Sequence, residues 1–155
     1  MRPGNLFVAA ATIAAFLVAA APAVAGLTRP EQALVAAINV TRARHHLPEL
    51  QLDPALERAA RSHTRDMLLR GYFDHGSFLA RMERFGVRGR AVGENLAWWP
   101  GSRALAHAVV RIWLRDPAHR ANLLRPGFRR VGVAAVRGRY GGGKVRMVTA
   151  DFAGR

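Results

Sequence analysis

The chain has 155 residues, with 24 Lys and Arg against 10 Asp and Glu, a formal charge of +14 and no cysteine. The missing cysteines exclude disulfides, a thiol-linked lipid and a Cys nucleophile, so stability must come from packing or from a bound ion. The basic balance favours anionic partners: phospholipid headgroups, cell-wall polyanions or nucleic acid.

In chain order, Arg2 precedes an apolar run over residues 6–21, and Ala23-Val24-Ala25 supplies small residues for cleavage. This pattern predicts a cleavable signal peptide over 1–25 and export of a single domain over 26–155. A retained membrane anchor is the rival reading, but the run is Ala-rich, short for a bilayer span, and has no basic cluster beyond it. Loss of Arg2 would lower the formal charge by one, to +13. All the basic residues except Lys144 are arginines, scattered without interleaved aromatics. That distribution reads as a solvated Arg-rich surface rather than a nucleic-acid footprint.

Thr28, Pro30 and Glu31 form a capping box with Pro in the first turn, predicting a helix to about His46. Asp53-Pro54 repeats the device, and Leu56, Ala59, Ala60, His63 and Met67 then share one face of a second helix ending near Gly71. Residues 78–85 read as a short helix stopped by Gly86. Ser102 can cap another, with Leu105, Ala106, Val109, Val110 and Trp113 as its apolar stripe, and Pro117 begins a new turn. From Arg129, β-branched alternation, a Gly-rich turn at 138–143 and a second alternating run predict a β-hairpin. Helices first and strands last predict an α+β domain with an antiparallel sheet covered by helices.

Two apparent motifs fail on context. Gly138 to Lys144 spells G-x-x-x-x-G-K, but Val145 stands where a phosphate loop needs Ser or Thr, and a strand follows. His45 and His46 match no zinc-protease spacing. Between residues 63 and 120 the candidates are stronger. His63, on an apolar helix face, reads either as a core histidine with hydrogen-bond partners or as a site residue. His75 sits in a loop where nothing structural requires it. Glu94, in Gly93-Glu94-Asn95-Leu96, is a carboxylate beside an apolar stretch and needs a cation or donors. His119 follows Asp116-Pro117-Ala118 at a helix start, which favours its neutral, metal-binding form. Two loop histidines and a carboxylate could make a zinc-type site or an acid/base group.

The segments LVAAINVTRARHHLPELQLDPALERAARSHTRDM, GYFDH, VGENLA, IWLRDPAHRANLL and PGFRRVGVAAV, in this order, resemble the CAP superfamily. That superfamily comprises the cysteine-rich secretory, antigen 5 and pathogenesis-related type 1 proteins, and the likeness is to its small secreted bacterial branch. It runs from about Glu31 to Phe152. The resemblance implies a three-layer αβα sandwich with a small antiparallel sheet and a central cleft holding two His and two acids. By position His75 is the first cleft histidine, Glu94 the first acid and His119 the second histidine. Asp116 is either the second acid or a cap for the turn before His119.

The resemblance carries no single established reaction. It implies a secreted, extracytoplasmic and monomeric binding module for a small apolar or lipid-like ligand or a cell-envelope component. Trp98 and Trp99 would line a groove or pack in the core. The alternative is a metal-assisted hydrolase of peptide, cell-wall or phosphodiester bonds, with His75 and His119 on zinc or another divalent cation and Glu94 as ligand or general base. A third reading makes the site a purely structural device. Anionic envelope material is the expected partner, and no specific nucleic acid is.

Overall fold

In the computed structural model, which describes residues 26–100 and 106–155, local sequence devices set most elements in order. Helix α1 (Arg29–Arg44) starts at the predicted box, where the Thr28 amide and hydroxyl both donate to Glu31, at 2.7 and 2.8 Å. Glu31 is buried and its other carboxylate oxygen accepts the Ala135 amide at 3.1 Å, with Arg61 also 3.1 Å away. Burial pushes the pKa of Glu31 up, but hydrogen bonds from Thr28, Ala135 and Arg61 outweigh it and hold the carboxyl below its ordinary range. One capping residue thereby joins three elements.

Strand β1 (Gln51–Leu52) leads into α2 (Pro54–Arg70), whose N-cap Asp53 accepts the Ala55 and Leu56 amides. Gly71 ends α2 in the left-handed conformation at φ 69°, as the sequence predicts. After α3 (Phe78–Arg84) come β2 (Val92–Pro100), α4 (Ala106–Arg115), α5 (Pro117–Leu123), β3 (Phe128–Tyr140) and β4 (Gly143–Gly154). Gly141 and Gly142, both at positive φ, form the two-residue turn of the expected hairpin. The proposed leader over 1–25, and Ser102 and Leu105 of the expected helix start, lie outside the described residues.

The sheet order is β1-β3-β4-β2. It is mixed where the sequence predicts an antiparallel one: β3, β4 and β2 pair antiparallel as expected, and β1 adds two residue pairs parallel to β3. Strands β1 and β2 are absent from the sequence reading: β1 has only two residues, and β2 lacks alternation because both of its faces are buried over residues 94–97, while α5 follows the helix start expected at Asp116-Pro117-Ala118.

Side-chain parity separates two faces. Val131, Val133, Ala135, Val148, Ala150 and Phe152 point toward α1, α4 and α5 and join Leu34, Ile38 and Trp113 in the main core. Gly132, Met147, Thr149, Asp151 and Ala153 face α2 and α3. Helices thus cover both faces, which is the αβα sandwich. A Cβ at Gly132 would sit 2.1 Å from the backbone of Leu56 and Glu57, so only glycine lets α2 approach there.

Arg42, buried near the end of α1, donates to the carbonyls of Pro48, Leu123, Arg125 and Phe128 at 2.8 to 3.2 Å. No helix among the described residues is long and apolar enough to cross a membrane.

Candidate functional site

Register builds the site. Glu94 on β2 pairs with Asp151 on β4, and directly opposed residues in an antiparallel ladder share a face, here the α2 face. Over these acids lie His63 from α2, the segment 71–77 that carries Asp74 and His75, and Arg81 from α3.

Glu94 is buried and both of its oxygens are engaged. His75 Nδ1 lies 2.7 Å from Oε1 and Arg81 donates to Oε2 at 2.5 Å. With Nδ1 turned to the carboxylate, His75 presents Nε2 outward, and its side chain is 55% exposed. Arg81 also donates to the His75 carbonyl at 3.2 Å, fixing the loop and the carboxylate together.

His63, only 3% exposed, lies with Nε2 2.9 Å from the Asp74 carbonyl and 3.9 Å from Glu94 Oε2. Burial pushes its pKa down, Arg81 adds to the fall, and Glu94 opposes it. A neutral imidazole with its proton on Nε2 satisfies the carbonyl, so His63 anchors the loop that carries His75. The structure shows a core histidine with a hydrogen-bond partner, lying beside Glu94 in the wall of the cleft.

Asp151 is fully buried, and neither of its oxygens meets an N–H or hydroxyl donor. Burial drives its pKa well above the usual carboxyl range, the neighbouring Glu94 raises it further, and Arg81 pulls it back. A protonated Asp151 reconciles these facts, because its own O–H is then a donor that Glu94 accepts. Beside this cluster a pocket of about 590 Å³ opens between α2 and α3, with His63, Arg81, Ser62, Tyr72 and Phe85 in its wall.

His119 is held differently. Asp116 caps α5 by accepting the His119 amide at 2.9 Å, and its Oδ1 lies 2.9 Å from His119 Nδ1. Of the two roles open to Asp116, the structure shows the cap. Asn95 donates to the His119 carbonyl, while Asn122 donates to the Glu94 carbonyl and to Asn95, each at 3.0 Å. Trp113 donates to the Leu96 carbonyl at 2.8 Å. These bonds zip α5 and α4 to β2.

His75 and Glu94 are therefore brought together, whereas His119 is tied to β2 through amides and pairs with Asp116. Among the described residues no three His, Asp or Glu side chains converge to hold a metal ion. With both Glu94 oxygens already engaged, the donor set does not fit the expected zinc site, and no step is derived through a metal. Trp98 is 43% exposed and packs edge-on against Tyr140, so it is neither core nor part of the wall beside Glu94.

Sequence reasoning passes over Arg81, Asp151, Asn95 and Asn122. Asp151 carries a legible signal, an acid at an inward position of the alternating run VRMVTADF. Arg81 carries none in an Arg-rich chain.

The family model for CAP, the cysteine-rich secretory protein family, matches residues 35–152. YkwD of Bacillus subtilis is 34% identical over 111 residues, 68% of this chain and 42% of YkwD. The structure of an extracellular protein containing a SCP domain from Bacillus anthracis superimposes with a TM-score of 0.66 at 28% identity, covering 81% of this chain and 40% of that one. An outer surface protein from Borrelia burgdorferi gives a TM-score of 0.66 at 20% identity, covering 81% of this chain and 93% of that one, a likeness of fold alone. The chain spans less than half the length of the curated relatives it matches. With the family model covering most of its length and these structures sharing its sandwich, the chain belongs to the CAP family.

Proposed function

We propose that the chain is an exported binding module whose pocket between α2 and α3 takes a small amphipathic ligand of the cell envelope, with an apolar body and an anionic head. The observation that carries this reading is the pocket itself. Its volume of about 590 Å³ lies within the range of small-molecule sites, and its wall combines the ring of Phe85 with the guanidinium of Arg81 and the hydroxyls of Ser62 and Ser77. The binding reading is further supported by Glu94, whose two oxygens serve His75 and Arg81 and so act as a fixed support. Export is supported by the leader pattern over 1–25 and by the extracellular and outer-surface proteins that share the fold.

Laurate is a suitable probe, joining a twelve-carbon chain to a carboxylate. Calorimetric titration should give saturable binding to the wild type, weakened at least about tenfold by Ser62→Trp, which fills the pocket from α2. No binding to the wild type, or equal binding by both, overturns the reading. N-terminal sequencing of exported protein should begin at Gly26, and a start at Met1 would mean an anchor.

One observation favours a second reading. An exposed imidazole backed by a buried carboxylate is an oriented acid/base group. If the chain is a hydrolase, His75→Ala should abolish turnover of a peptide, cell-wall or phosphodiester substrate while sparing laurate binding. Metal analysis of the same samples tests the zinc expectation directly.

A further inference from the structure

Away from the pocket, the β3–β4 hairpin ends in a cluster of bases, three of which are exposed. Arg137 stands directly opposite Arg146, and Arg139 directly opposite Lys144, so two like-charge pairs follow one another along the ladder. Opposed like charges destabilise a sheet, and an acid or a neutral residue across from a base would relieve the repulsion. Arg137, Arg139 and Lys144 are exposed, and among the described residues no carboxylate lies within ion-pair distance of these three. Arg146, the fourth base, is buried, donates to the Ala135 carbonyl at 2.9 Å and feels the charge of Glu31, so the three exposed cations alone lack a carboxylate at the tip.

The other face of the same tip is aromatic. Tyr140 meets Trp98 at 5.7 Å and Phe73 at 6.3 Å between ring centroids. Trp98, 43% exposed, is an amphipathic ring left at the surface on the face of the hairpin opposite the one that carries these three cations. Tryptophan and tyrosine beside arginine and lysine is the chemistry of the membrane–water interface, where rings sit at headgroup depth and cations meet lipid phosphates. A single-stranded nucleic acid would need flat ring faces for its bases, but these rings cross at 62° and 51° and pack against each other.

We propose that this hairpin tip, with Arg137, Arg139 and Lys144 on one face and Trp98 and Tyr140 on the other, docks the domain edge-on at an anionic phospholipid surface. Charge complementarity selects the occupant: a basic, acid-free tip matches a sheet of phosphates. The docking uses none of the residues tested for pocket binding, so it stands or falls apart from the laurate experiment. It would leave the pocket free to exchange ligand with the envelope to which the domain is held.

The test is co-sedimentation of the exported protein with vesicles of phosphatidylcholine alone, and with vesicles in which about a third of the lipid is phosphatidylglycerol. Binding should be at least about tenfold tighter to the anionic vesicles and should weaken as salt rises. A leader retained in the chain would bind both vesicles alike. The triple variant R137Q/R139Q/K144Q should lose at least about tenfold in affinity. The control R44Q/R65Q/R115Q removes the same charge from exposed helical positions and should lose less than about threefold. Relief of the opposed charges should leave the hairpin variant melting no lower than the wild type, which separates lost docking from lost folding. Equal losses in the two triple variants, unchanged binding by the hairpin variant, equal binding to the two vesicles, or tighter binding to single-stranded DNA than to anionic vesicles would each overturn the proposal.

Discussion

The two faces of the one sheet are built on different chemistry. Toward α1, α4 and α5 the strands present Val131, Val133, Val148, Ala150 and Phe152, which close on Ile38, Leu34 and Trp113. Toward α2 and α3 the same strands present Thr149 and Asp151, with Glu94 beside them on β2, and the apolar contacts break into two smaller groups around them. The first face gains stability from area removed from water. The second gives up some of that gain by burying two acids, a histidine and a guanidinium, a cost reduced where His75 and Arg81 meet Glu94 and His63 meets the Asp74 carbonyl. Stability and chemistry are thus divided between the two sides of β4.

This division can be broken from either side. The largest effect is expected from Gly132→Ala, which drives a methyl group into the α2 backbone and should cost more than about 4 kcal/mol or prevent folding, as read by denaturant unfolding. Next is Trp113→Ala on the opposite face, which should cost about 3–5 kcal/mol from the emptied core site and the orphaned Leu96 carbonyl. Because it strikes the other side of the sheet, it should leave laurate affinity in the remaining folded protein within about threefold. An equal loss of affinity would mean that the faces are not independent.

An effect smallest near pH about 4 and growing toward neutrality should come from Asp151→Asn, whose amide can donate to Glu94 as the protonated acid does. Asp151 has a folded pKa raised well above the unfolded value, so between those two values the native state holds more protons than the unfolded chain. Its stabilising contribution is fully present below the unfolded pKa and is lost as pH rises toward the folded one. The wild type should therefore lose stability relative to Asp151→Asn as pH climbs from about 4 upward. Parallel melting curves for the two proteins across that range would show that the acid is not held protonated.

What could be read from the sequence follows the reach of each signal. The caps at Thr28 and Asp53 and the stop at Gly71 act over a few residues and stand where the sequence puts them, and the turn expected over 138–143 narrows to Gly141 and Gly142 within it. Strand β2 was hidden because its polar residues are buried by partners far along the chain: Arg81 for Glu94, Asn122 for Asn95. His75 and Glu94 stood out as residues without a local purpose, and the family resemblance placed the αβα layers. Asp151 could be noticed as an inward acid, but its role needed the register that sets it across from Glu94. Asp116 could not be assigned from spacing, since an acid three residues before His119 suits a cap and a cleft equally well.

The four-carbonyl bracket of Arg42 has a consequence for where this domain can live. It ties the end of α1 to the loop before β1, to the end of α5 and to the start of β3, a cross-link of distant segments of the kind that disulfides make in many small secreted domains. A guanidinium needs no oxidant to form its bonds and no isomerase to correct them. The domain should therefore reach its native state without an oxidant, and should keep it in thiol-reducing surroundings that would open a cystine-stapled domain.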